Sequence, residues 1–267
     1  MTEFKIPKPK PDFEGTGSPV NFADVRDVYA EAVEKLVLYD YAKFGKDWQN
    51  RALDILIGDE RVYSPSSEGK WRGSNPPICT LMQEKIKGLD LITLQQSRRA
   101  YEANGNRPPV PNAYFEHGWA VIPGQNSDYK RNPEIASRLV EGLKSKGIEV
   151  GKGRVINFSQ LHLQPVQDIR IFDFVINNTT TEDNVAKVGD YNWDYGFPNS
   201  ASGAFRAILG SNSGWGVGRG NPEISGEDGR VVRFIAEGDA PEKLSSLVQE
   251  KDPLKERITE FRKRISS

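Results

Sequence analysis

The chain contains only two histidines, His117 and His162, so a two-histidine metal site would have to use both, with an acidic third ligand. His162 sits in Gln160-Leu161-His162-Leu163-Gln164. At strand spacing it shares a face with Gln160 and Gln164, opposite the two leucines. His117 sits in Phe115-Glu116-His117-Gly118-Trp119, where the same period puts it between two aromatic rings. It would serve as a general acid or base only with a carboxylate to orient it. The third candidate is Asp173, in Asp168-Ile169-Arg170-Ile171-Phe172-Asp173-Phe174-Val175-Ile176. Alternation over 168–176 gives two largely apolar faces, as in a central strand. A carboxylate buried there is costly unless it is paired or bound to a metal. Alternation also sets Arg170 on the opposite face and so excludes it as the partner. An arginine from elsewhere would supply the pair, or Asp173 would be an acid/base with a raised pKa. Asp173 and His162 are the expected ligands of a divalent metal. Asp173, His162 and His117 are the catalytic candidates.

The second concentration of chemistry is the segment 189–221. Tyr191, Trp193, Tyr195, Phe197 and Trp215 stand among glycines, asparagines and serines. Rings of this size normally lie in periodic segments that bury them. Placed where regular structure breaks, they read as a working surface. Tyr191, Trp193, Tyr195, Trp215 and Arg219 are the substrate-binding candidates. Gly214, Gly216, Gly218 and Gly220 alternate without the spacing or the Lys-Ser/Thr ending of a phosphate loop. They would free backbone donors for an anion beside Arg219, or form a tight turn around Trp215. Glu68-Gly69-Lys70 resembles the Glu-x-Lys half of restriction-like nuclease sites, but its middle residue is glycine in a Ser/Gly/Pro loop, where those sites use an apolar residue in a strand.

Several helices and strands must position these groups. A helix over 22–44 carries Val25, Val28, Tyr29, Ala32, Val33 and Leu36 at the i, i+3, i+4, i+7 spacing of one buried stripe. The run 48–57 suits a short helix, or a strand from 52. A helical stretch follows from 78 to 103. The aromatic and branched run 113–122 reads as a strand. The next helix, 133–146, has Asn132 as cap, Pro133 at its first position and Gly147 past its end. Strands are expected at 154–158, 161–163, 168–176 and 231–236, and helices at 241–249 and 254–265. The first 20 residues alternate Lys and Pro, then turn Gly- and Ser-rich, and read as a flexible arm. Helices first, then strands, then helices make this one α+β domain over 21–267, with a mostly antiparallel sheet in the C-terminal half.

Composition bounds the function. A net charge of −1 disfavours partners held by global attraction, such as bulk nucleic acid or an anionic membrane. The single Cys79 excludes an internal disulfide and reads as a small buried hydrophobe. No apolar run reaches bilayer length, and the opening residues lack a secretory core, so no membrane partner and a cytoplasmic location are expected. Two function classes remain. One is a phosphate-substrate enzyme, such as a metal-dependent nuclease, with Asp173 and His162 at its centre and nucleic acid stacked on the aromatic segment. The other is a non-catalytic binding or assembly protein that uses 189–221 as its interface to a protein partner.

Overall fold

A computed structural model describes residues 15–19, 22–57, 73, 75–85, 114–122, 124, 132–188, 203–210, 216–220, 222, 226, 229–236 and 253–267. Among them run five α-helices and nine strands: β1 (Gly15–Pro19), α1 (Phe22–Val33), α2 (Lys46–Ile57), α3 (Pro76–Lys85), β2 (Tyr114–Ile122), α4 (Pro133–Ser145), β3 (Arg154–Asn157), β4 (Leu161–Pro165), β5 (Phe172–Ile176), β6 (Val185–Lys187), β7 (Phe205–Gly210), β8 (Gly216–Gly220), β9 (Gly229–Ala236) and α5 (Pro253–Ser266). This is the α+β organisation expected, with antiparallel pairing dominant and a C-terminal helix in place. The readings at 1–14, 58–72, 86–113 and 241–249 lie outside the described residues.

The helical stripe is core. Tyr29, Ala32, Val33 and Leu36 are buried, and Val28 packs against them. The helix does not run on uniformly to residue 44. It widens into a π-helical stretch at Glu34–Asp40, tightens to a 3₁₀ turn at Ala42–Phe44, and stops at Gly45, whose φ of 96° favours glycine. Gln49 Nε2 of α2 donates to the Val37 carbonyl within the widened stretch. The run 48–57 is helical, burying Ala52, Leu53, Leu56 and Ile57 on one face. Asn75 caps α3 through its side chain, and Cys79 is buried in that helix.

Strand β2 organises the larger sheet. β7 pairs along one of its edges, while the other edge is shared by β9 at residues 114–116 and β3 at residues 119–122. The β2–β9 pairing is parallel and the others are antiparallel. The β7 register shifts between Glu116 and Ala120, and Gly118 takes a φ of 65° inside that bulge. β1 corrects the arm reading: Gly15–Pro19, expected to be free, pairs with β9. Backbone hydrogen bonds hold it there despite its lack of apolar periodicity. Gly216–Gly220 is likewise a strand laddered to β7, so its alternating glycines follow the period of two of a strand and do not form an anion-cradling turn.

β4 and β5 form a separate hairpin against α4. Leu161, Phe172, Phe174 and Ile176 enter the core. Helix α4 comes so close that a Cβ at Gly142 would lie 2.8 Å from Ile176 Cγ1 and 3.3 Å from its Cβ. Gly142→Ala should therefore lower stability by about 1 kcal/mol or more, because the clash outweighs alanine's better helix propensity. Thermal or chemical denaturation would read the change, and a more stable variant would show that the helix and strand can separate cheaply.

Candidate functional site

The polar centre of the described residues is the hairpin loop between β4 and β5. A strand over 168–176 was expected, but β5 begins only at Phe172. Asp168 is the reason. Its Oδ1 accepts the Arg170 backbone N–H at 2.6 Å, a local bond that bends the chain out of the ladder. Val166 N–H donates to the Ile171 carbonyl and closes the loop. Ile169 points out of the core, 73% exposed, rather than sharing a buried face with Asp173.

This bend overturns the exclusion of Arg170. Because Arg170 precedes the strand, the pleat does not decide where its side chain goes. Its Nη1 donates to Asp173 Oδ1 at 3.0 Å, and its Nη2 and Nε grip Asp168. Asp173 has no exposed surface and Arg170 retains only 5%. The arginine expected from elsewhere is present as well. Arg138 of α4 brings its Nε within 3.3 Å of Asp173 Oδ2, an ionic contact without hydrogen-bond geometry. Burial pushes the Asp173 carboxyl above its ordinary range, against the pull of Arg170 and Arg138. Asp168 goes the other way: the hydrogen bond from the Arg170 side chain holds it below the usual carboxylate range.

His162 lies across from Val175, and Gln164 across from Asp173. His162 and Asp173 thus share one face of the hairpin as diagonal neighbours. They do not share partners. His162 Nδ1 is 3.0 Å from Asn177 Oδ1, while Asn177 Nδ2 donates to the Ser159 carbonyl at 2.9 Å. That second bond fixes the amide orientation, so Nδ1 of a neutral ring carries the proton and Nε2 keeps its lone pair. No third acidic, histidine or cysteine side chain joins a metal-sized cluster among the described residues. His117 lies in the β2 bulge, next to the fully buried Glu116. Arg219 stands opposite Ala207 on β8. Tyr191, Trp193, Tyr195 and Trp215 fall outside the described residues. The ends of the first aromatic stretch are fixed: Val188 N–H donates to the Gly153 carbonyl, and the Ala204 carbonyl accepts from Asn132 Nδ2 at 2.8 Å. Asn132 therefore does not cap α4 with its side chain, as had been expected.

Arg138 and Glu116 were missed in the sequence. Glu116 carries the same signal as Asp173, a carboxylate inside an apolar strand. Arg138 carries none, because helical periodicity does not say which exposed arginine reaches a neighbouring strand. Comparison with protein-family models, with curated proteins and with solved structures returned no match.

The two aspartates give opposite pH signatures. Asp168, with its lowered pKa, adds stability above its unfolded pKa and loses it as pH falls through its folded pKa. Asp173, with its raised pKa, costs stability as pH rises above its unfolded pKa, and the full cost is reached above its higher folded pKa. Asp168→Asn should cost about 1 kcal/mol near neutral pH, discounted because Asp168 is 37% exposed. The gap from wild type should close in acid. Urea titrations between about pH 2 and pH 7 would show this; a gap that persists in acid would place the cost elsewhere.

Proposed function

We propose that the protein is a binding or assembly protein whose interface is the segment 189–221, and that its first partner is a second copy of itself. One observation carries this reading: Asp173, the preferred catalytic carboxylate, is buried with both oxygens turned to arginines. A carboxylate so engaged suits fold maintenance better than metal binding or proton transfer. Strand β8, which lies within the segment, supports self-association. Among the described residues β8 is paired only by β7, which leaves its outer edge for an added strand. The segment's aromatic residues and Arg219 are of the types that dominate interface energies.

A second reading rests on His162. Its Asn177 partner leaves Nε2 as a lone-pair donor, suited to a general base or metal ligand in a phosphate-substrate enzyme acting on nucleic acid. A divalent metal there would need ligands beyond His162, and Asp173 would have to leave its arginines to join it.

Sedimentation equilibrium and anisotropy with a fluorescent single-stranded oligonucleotide separate the two. The assembly reading predicts an oligomer that Trp215→Ala converts to monomer with an unchanged melting temperature, and no oligonucleotide binding. A monomeric wild type that binds the oligonucleotide, more weakly as salt rises and about 1–3 kcal/mol more weakly with Trp215→Ala, would instead establish the second.

A further inference from the structure

Among the described residues the larger sheet ends, beyond β9, on the strand least suited to it. β1 reads Gly15-Thr16-Gly17-Ser18-Pro19, whereas β9 reads Gly229-Arg230-Val231-Val232-Arg233-Phe234-Ile235-Ala236. Their antiparallel register sets Gly15 opposite Ala236, Gly17 opposite Phe234 and Pro19 opposite Val232 on one face. On the other face Thr16 stands opposite Ile235 and Ser18 opposite Arg233. We propose that the β9 edge over 232–236 is a binding site for an extended peptide of a partner protein, apolar at alternate positions and acidic opposite Arg233, and that β1 is a weak stand-in closing that site in cis. This edge lies outside the segment 189–221 and does not depend on it.

Composition separates the two strands. Cross-strand side-chain pairs are what stabilise a sheet, and glycine and proline are depleted in strands. β1 has Gly15, Gly17 and Pro19 in a strand of five, and Pro19 brings no N–H to the ladder. In β9, Val231, Val232, Phe234 and Ile235 are of the types that strands favour. The register leaves Phe234 and Ala236 opposite glycine, where there is no side chain to pair with them. What keeps β1 in place is its tether. Only residues 20 and 21 separate it from α1, whose Tyr29, Ala32 and Val33 are fixed in the core. So short a link holds β1 beside β9 at high effective concentration, and weak pairing persists until a better strand competes. Without a partner, the stand-in also keeps the edge from pairing at random.

The register selects the partner. Strand addition draws affinity from the backbone and specificity from alternate side chains. A peptide running in the direction of β1 improves on it most with β-branched or aromatic residues at the places of Gly15, Gly17 and Pro19. At the place of Ser18 an aspartate or glutamate adds an opposite-charge pair with Arg233, which serine does not make, and a basic residue there is repelled. The recognised pattern is therefore apolar, any, apolar, acidic, apolar.

The test is fluorescence anisotropy of the full chain near neutral pH with labelled Val-Thr-Val-Glu-Val. This peptide should bind, and the same peptide with Lys in place of Glu should bind about tenfold more weakly. Ser18→Glu improves the stand-in and should weaken the Glu peptide about threefold or more, whereas Ser18→Lys sets like charges opposite each other and should tighten it by a similar factor. Thr16→Cys combined with Ile235→Cys allows a disulfide across the register pair, since the natural Cys79 is buried. The oxidised chain should be a monomer that no longer binds, and reduction should restore binding. No binding by wild type and Ser18→Lys alike, equal binding of the Lys peptide, Ser18 variants with unchanged affinity, or binding by the oxidised chain would each overturn the proposal. A covalent dimer on oxidation would overturn the closure in cis, in favour of β1 exchanged between two copies.

Discussion

A carboxylate with no exposed surface has to be compensated from within, and the compensation of Asp173 organises the middle of this protein. Arg170 reaches it only because the loop before β5 leaves the ladder, and the loop leaves the ladder because Asp168 accepts a backbone hydrogen bond two residues on. Arg138 completes the arrangement from α4 and so ties the helix to the hairpin. Apolar packing also brings α4 to β5, with Gly142 against Ile176. The ionic contacts add direction to that packing. Such a network is costly to break even where it adds little net stability.

The same network shapes what the surface offers. Asp173 draws Arg138 Nε to 3.3 Å in an ionic contact, while the rest of that side chain stays half exposed. Asp168 engages Nε and Nη2 of Arg170, so that arginine holds the loop in place. His162, two residues along the neighbouring strand from Gln164, belongs to a different set of bonds through Asn177. The predicted metal pair therefore shares a sheet face without sharing chemistry.

Local periodicity made much of the fold legible. The stripe on α1, the proline start and glycine end of α4, and the strands β2, β3, β5 and β9 follow from spacing that packing then enforces. What failed to read through depended on non-local or local polar bonds. Alternation could not show that Asp168 bends the chain before β5. Propensity could not show that Gly15–Pro19 adds to a sheet edge more than two hundred residues away. Glycines every second residue look alike in a turn and in a strand, and only the ladder to β7 distinguishes them. For the site, Asp173 was legible because a charge among apolar residues demands a partner. The identity of that partner was not, since a local bend at Asp168 delivers Arg170 and only tertiary contact selects Arg138.

The most direct measurement of the central claim is a double-mutant cycle on Arg170 and Asp173, read by urea denaturation near neutral pH. If Asp173 is a structural hub, Arg170→Met alone costs about 3–5 kcal/mol by leaving a buried carboxylate poorly compensated. Adding Asp173→Asn then recovers part of that loss, with a coupling of about 1–3 kcal/mol. Effects that simply add, within about 0.5 kcal/mol, would contradict the account and return Asp173 to the catalytic candidates.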